Sequence, residues 1–423
     1  MEKIIRKFKV LLTDKALLSR IFFVIGMFFI FRFLAAIPVP GVDAARLNEF
    51  LSNNQFFGIL NLFSGGGLST LSIMMLGVGP YITGSIIMQL LTIMVPRLKA
   101  LYHEEGEAGR KRFSQYSRIL TIPLAILQGF SLLAVLVRQG VIDPMSTMGY
   151  VVNIAVVTAG CLFLMWLGEL ISEFGIGNGV SIIIFAGIVA SVPSNISQFF
   201  FTFDVAQIPT YLVFLVVGVV IIAGVVAVSE AERPVPVTYA KQVRGTGTSG
   251  GVSTYIPLRL NQAGVMPIIF ALSILMFPQL IGNFLATSTN TIAMKVSHAF
   301  ISFSQNTLLY GILYFVLVAL FTYFYTAVTF DPQALSTNLQ KNGAFIPGIR
   351  PGQSTAEFID RVLSRITLAG ALFLGLIAVL PMIMQSLTGI QSLTIGGTSL
   401  LIAISVSIDI IKKIDAQLSM REY

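Results

Sequence analysis

The chain has 423 residues, 55% of them hydrophobic and only 11% charged, with a mean hydropathy of +0.85 and a formal net charge of +8. That composition excludes an ordinary soluble domain and marks a polytopic membrane protein. The positive charge does not call for DNA as a partner, because in a membrane protein the side that carries the charge is what matters.

Residues 1–20 interleave Lys3, Arg6, Lys7, Lys9, Lys15 and Arg20 with Ile4, Ile5, Phe8, Leu11 and Leu12, which predicts an amphipathic helix lying on an anionic leaflet. The apolar run starts only at Ile21, so no cleavable signal is expected. Runs long enough to span follow at 21–37, 71–95, 116–137, 150–170, 179–200, 209–229, 262–285, 308–328, 366–386 and 397–414. Ten spans place both termini on one side. With that side inside, all but four of the 27 basic residues fall in inner segments or at the inner ends of the runs. The exceptions are Arg46, Arg138 and Lys295 in outer loops and Arg32 within the first span, a close match to the positive-inside pattern. Cys161, the single cysteine, lies in an apolar run and is expected to be a packing residue.

Between the first two runs lies Gly58–Thr70, with Ile59, Leu60, Leu62 and Phe63 followed by Ser64 and Gly65-Gly66-Gly67. A dozen residues cannot cross a bilayer, which takes about 20. A half-length apolar helix ending in glycines and joined to a full span at Leu71–Val95 leaves two readings open. It is a re-entrant turn that fills packing space, or a short piece folded into a cavity or pore, since irregular backbone at membrane depth needs protein or water around it.

Two inner loops are long. Residues 230–261 carry VPVTYAKQV and VSTYIPL around Gly245, Gly247, Gly250 and Gly251, which predicts a hairpin reaching into water. Residues 329–365 begin with Asp331-Pro332, an N-cap with proline at the first helical position. A Gly/Pro turn over 343–352 follows, and Ser354 with Glu357 predicts a capping box for the next helix. Structured loops of this length point to a docking surface. The expected division is 1–20 as a surface helix, 21–200 and 201–414 as two five-span halves, and 415–423 as an inner tail. An odd number of spans per half inverts one half relative to the other, with a site between them.

Charges at membrane depth are few: Arg32 lies in the first span, and Glu169, Glu173 and Asp409 fall near inner ends. Ion-coupled transporters carry such groups mid-span, so their scarcity argues against one. There is no HExxH and no GxxxxGK[ST], so no metal, cofactor or catalytic residue is expected, and the energy for directed movement must come from a partner. Gly247-Thr-Ser-Gly250 resembles a serine-protease motif and Asn195-Ile-Ser197 a glycosylation sequon; both are read as chance. Val78 with Ile82, and Val180 with Ile184, each lie one turn apart on one face of a span. They are either ordinary packing residues or part of a narrow ring that gates by excluding water.

Several long stretches in order carry a resemblance over essentially the whole chain: Pro38-Val-Pro-Gly41, Phe63-Ser-Gly-Gly66, Gly79-Pro-Tyr-Ile82, Glu105-Gly-Glu107 with Gly109-Arg-Lys-Arg112, and Met165-Trp-Leu-Gly-Glu169. Gly175-Ile-Gly-Asn-Gly179, Ser181–Ile188, Gly343–Gly352 and Gly396–Leu401 continue it. The chain resembles the SecY family, the channel subunits of the bacterial Sec protein translocase. The resemblance implies an all-α fold of ten transmembrane helices in two inverted five-helix halves. It makes Ile59, Leu60, Leu62, Phe63, Ser64, Gly65, Gly66 and Gly67 part of a re-entrant plug on the outer side of a constriction formed by Val78, Ile82, Val180, Ile184, Ile269 and Ile402. A lateral gate follows between the second and third and the seventh and eighth spans, with Thr83, Gln89 and Asn261 near it. Lys241, Arg244 and Arg350 fall on the docking surface for the SecA motor or the ribosome.

The implied function is to pass unfolded secretory chains across a bacterial plasma membrane and to release transmembrane segments sideways into lipid. Signal peptides are the implied ligands, and the small subunits SecE and SecG the implied companions. The chain departs from the family in two places. An arginine pair usual at the tip of the 230–261 loop aligns with Thr246 and Gly247, and two of the six ring positions are valine. A solute transporter would need polar ligands at mid-span, and an intramembrane protease a nucleophile and base inside the bundle.

Overall fold

The computed structural model describes residues 14–39, 47, 60–61, 64–103, 105–201, 208–239, 242–244, 247–249, 253–286, 290–388 and 392–419. Most of residues 1–20, together with Ile59, Leu62, Phe63 and Lys241, therefore lie outside the described residues.

Each of the ten expected apolar runs is occupied by a helix, and sequence-local signals set where several begin. The first helix, α1 (Lys15–Ala35), starts because the Asp14 carboxylate accepts from the amides of Ala16 at 3.0 Å and Leu17 at 3.4 Å. The second expected span is shorter than the apolar run predicts: α2 covers Gly79–Met94, and residues 64–78 form consecutive turns instead. Gly65, Gly66 and Gly77 adopt positive φ there, as does Leu71 at +41°, a conformation that a helix cannot continue through. The predicted half-helix is corrected in the same way, for only Leu60 and Asn61 of its described residues are helical. After α2 the chain bends by 114° into α3 (Pro96–His103), a helix the hydropathy pattern does not indicate.

The remaining helices are α4 (Gly106–Arg138), α5 (Thr147–Phe174), α6 (Gly179–Phe201), α7 (Ile208–Glu230), α8 (Met266–Leu285), α9 (Thr291–Gln305), α10 (Thr307–Thr329), α11 (Pro332–Lys341), α12 (Gln353–Thr388) and α13 (Ser392–Ser419). Among the described residues six helices, with the bent α2–α3 pair as a seventh, meet the length and apolarity needed to cross a bilayer, while the apolar parts of α6 and α8 are shorter. Short α9 has no counterpart among the expected apolar runs; the Asn290 side chain caps it, accepting from the Ile292 amide at 2.9 Å.

The chain packs as two compact units. The first comprises Met1–Leu215, Leu272–Tyr310 and Pro381–Tyr423. In it α2 packs on α4, α4 on α5, α5 on α6 and on α1, and α6 on α13. Glycines set several of these approaches. A Cβ on Gly84 of α2 would lie 3.2 Å from the Ser117 carbonyl of α4, and one on Gly179 of α6 would collide with the Gly168 carbonyl of α5. An ion pair also ties α4 to α5, with Arg118 Nε donating to Glu169 Oε1 at 2.6 Å.

The second unit comprises Val216–Ala271 and Gly311–Leu380. It contains the expected hairpin: β1 (Glu232–Tyr239) pairs antiparallel with β4 (Ser253–Arg259) from Glu232 opposite Arg259 to Thr238 opposite Ser253. A short ladder, β2 (Gln242–Arg244) with β3 (Gly247–Ser249), lies toward the tip. The edge strand β5 (Ala344–Phe345) adds to β1 on the other side, giving the order β4-β1-β5. Val235 and Val237 alternate with exposed Pro234 and Pro236, so one face of β1 is buried. That face joins Leu258, Ala344, Ile346, Ile359 and Leu363 in one core, which binds both long loops into a single module with the start of α12.

Candidate functional site

The site begins where the turns of 64–78 run into α2. The return is stitched to the end of α1 as a narrow ribbon: the Val39 amide donates to the Leu71 carbonyl at 2.8 Å and the Ile73 amide to the Ile37 carbonyl at 3.1 Å. The Thr70 hydroxyl donates to the Ala35 carbonyl at 2.9 Å. Within the turns, Ser64 Oγ accepts from the Leu68 amide at 3.0 Å and donates to the Asn61 carbonyl at 2.9 Å. Leu68, Leu71, Met74 and Met75 are fully buried. The irregular backbone is thus wrapped by protein and has many of its amides paired, as a low-dielectric setting requires.

Val78, the residue before α2, is fully buried, and the Ile82 amide closes the first turn on its carbonyl at 3.0 Å. The pair keeps the one-turn spacing seen in the sequence although Val78 is not itself helical. On α6 the start is set by Asn178, whose Oδ1 accepts from the amides of Val180 at 3.1 Å and Ser181 at 3.3 Å. Ile184 is fully buried; Val180 is half-buried, with its Cγ2 3.3 Å from where a Cβ on Gly168 would sit. Ile402 is buried on α13, which packs on α6. Ile269 is buried on α8, in the second unit. Water therefore does not reach Val78, Ile82, Ile184, Ile269 or Ile402, and their branched side chains offer it no hydrogen bond.

Of the polar residues expected near a lateral gate, Thr83 is buried on α2. Gln89 donates through Nε2 to Ser85 Oγ at 3.3 Å, and Asn261 through Nδ2 to the Gly264 carbonyl at 3.2 Å. Gln89 Oε1 and Asn261 Oδ1 are buried, and no described residue donates to them. A buried acceptor without a donor is unfavourable by about 1–3 kcal/mol, so each is a ready partner for an incoming N–H or O–H.

Arg350 is exposed on the turn that follows β5. Gly348 and Gly352 flank it at φ +81° and +99°, its carbonyl accepts from Thr355 Oγ1 at 2.8 Å, and the Gly352 carbonyl accepts from Ser336 Oγ at 2.6 Å. The predicted capping box is corrected here. Helix α12 starts at Gln353, so Ser354 lies inside its first turn, and the Gly352 carbonyl accepts the first amides, from Thr355 and Ala356. Arg244 lies in β2. Among the described residues no group of three or more His, Cys, Asp or Glu could hold a metal.

A wrapped return of irregular backbone thus leads into buried branched side chains within a multi-pass helical protein. The solved structure described as a protein conducting channel matches over 93% of this chain and 90% of its own, with a TM-score of 0.65 at 16% identity. Canine Sec61 in a ribosome–channel complex from the endoplasmic reticulum matches with a TM-score of 0.61 at 16% identity, over the same shares of the two chains. The SecY family pattern matches residues 72–411. Protein translocase subunit SecY of Thermus thermophilus is 43% identical over 417 residues, covering 96% of this chain and 93% of that protein. Its counterpart in Streptomyces coelicolor is 42% identical over 424 residues, covering 96% and 95%. The chain belongs to the SecY family.

Proposed function

We propose that the chain is the central pore subunit through which unfolded secretory polypeptides cross the membrane, with a lateral exit for transmembrane segments. The observation that carries this reading is the junction at residue 78, where the wrapped return of 64–78 passes directly into Val78 and Ile82, both inaccessible to water. A translocating chain must pass where ions do not. A fixed polar filter would hydrate ions and bind some chains, whereas a narrow aliphatic ring dewets. In this reading Val78, Ile82, Val180, Ile184, Ile269 and Ile402 form the ring, and residues 58–70 are the plug that leaves when a chain enters. Thr83, Gln89 and Asn261 belong to the lateral gate, and the unpaired amide oxygens of the last two receive donors from a signal peptide. Residues 21–200 and 201–414 move as the two halves around that gate.

The chain carries no catalytic site of its own in this proposal. Lys241, Arg244 and Arg350 dock the SecA motor or a ribosome, which supplies the work, and SecE and SecG complete the complex in a bacterial plasma membrane. One solved protein with the same fold is Sec61 in a ribosome–channel complex, which supports a ribosome as one such partner.

Replacing Ile82 and Ile184 together with serine tests the ring. Single-channel conductance at rest should rise while the melting temperature stays near that of the parent. If the two side chains are instead ordinary core, each change costs about 2–5 kcal/mol and adds no conductance.

A further inference from the structure

The glycine hinge of the return is held from two sides by residues to which the reading above gives no part. Gly65 sits at φ +64°. On one side, the ring of buried Phe31 fills the space a Gly65 side chain would need, so a Cβ there would collide with Phe31 Cζ. On the other side, a Cβ on Gly187 of α6 would collide with the Gly65 Cα. The Gly65 carbonyl accepts from Arg32 Nη1 at 3.3 Å, and a Cβ on Gly66 would also lie 3.3 Å from that nitrogen. Arg32 lies well inside the first expected span, where a charged side chain is costly unless it has a partner.

We propose that Arg32 and Gly187 are positioning residues that latch the plug in its resting place. The guanidinium holds the hinge through a charge-assisted hydrogen bond to a backbone carbonyl, and the missing side chain at Gly187 makes the socket into which Gly65 fits. A backbone acceptor suits this task, because the bond depends on the path of the hinge and not on which side chain the plug presents. When the plug moves outward, Gly65 leaves both contacts together, so the latch releases as a unit. The proposal rests on the plug reading, and its test separates the two.

The test uses the complete translocase complex in vesicles, with Cys161 replaced by Ala and the fully buried Ser64 replaced by Cys as a reporter. Labelling by a membrane-impermeant maleimide reads departure of the plug. In the reporter background, labelling should rise during motor-driven transport; if it does not, the plug reading fails. At rest, Arg32→Gln should speed labelling about tenfold, the effect of losing one charge-assisted hydrogen bond from the closed state, and should raise resting ion leak with it. Gly187→Ala should do the same by pressing on Gly65, and it stands in for Arg32→Gln if that variant does not assemble. Arg32→Lys keeps the charge without the planar fork and should fall between the two. Labelling that rises on transport but is unchanged at rest in the variants overturns the latch alone. A lowered melting temperature with unchanged labelling also overturns it, by assigning Arg32 to packing.

Discussion

Arg350 gains its character from the backbone beneath it. Two glycines at positive φ and two hydroxyl-to-carbonyl bonds, from Thr355 and Ser336, fix a turn whose tip is a guanidinium in water. A fixed guanidinium can bind a carboxylate in a forked pair that a lysine does not copy. Arg350→Glu is expected to abolish motor-driven transport into vesicles while leaving expression and association with SecE intact. Near-normal transport would remove Arg350 from the docking surface. The sequence already shows the Pro/Gly turn and the arginine. It does not show Thr355 and Ser336 as the supports, because a hydroxyl on a helix is as consistent with a solvated surface as with a bond to a distant carbonyl. The buried oxygens of Gln89 and Asn261 are hidden for the same reason: residue type tells that an acceptor exists, and only the fold tells that no described residue donates to it.

Among the elements, the apolar runs were legible because about 20 consecutive apolar residues have few uses outside a bilayer. The hairpin of β1 and β4 was legible from its alternation and its glycine-rich tip, and the α11 start from Asp331, whose carboxylate accepts from the amides of Gln333 and Ala334 at 2.9 and 3.1 Å. The return at 64–78 was not, since Leu71–Leu76 reads as helix by hydropathy and its actual path is set by glycine conformations and by pairing with residues 37–39, over thirty positions away. Helix contacts were equally hidden. A glycine in a span is permissive, and which glycine takes a neighbour's backbone depends on packing. Gly179 and Gly218 make that contrast measurable. A Cβ on Gly179 would collide with the Gly168 carbonyl, whereas one on Gly218 meets nothing within 4 Å. Gly179→Ala should therefore cost about 1–3 kcal/mol by overpacking the α5–α6 contact, read as a lower melting temperature in detergent, with Gly218→Ala showing no such loss. Equal melting temperatures for the two variants would mean that the α5–α6 contact yields without cost.

For the molecule as a whole, the proposed orientation can be tested at the polar module. In the second unit the sheet and α11 lie between the ends of α7, α10 and α12, the strand connections running from Glu230 into β1 and from β4 back to α8. A sheet with exposed Arg233, Arg259 and Tyr255 belongs in water, so those helix ends share one aqueous side. The same module carries Arg350, Arg361 and Arg365, and these are part of the basic majority that the positive-inside pattern assigns to the cytoplasm. The fold places the module in water, and the charge counted along the sequence is the argument for which aqueous side that is. Tyr255 is 63% exposed on β4 and makes a suitable probe. In the Cys161→Ala background, Tyr255→Cys should react with an impermeant maleimide in inverted vesicles and stay unlabelled in right-side-out vesicles until detergent is added. The opposite pattern would put the loop module outside, where neither a cytoplasmic motor nor a ribosome could reach Arg350, and would overturn the proposed docking together with the orientation.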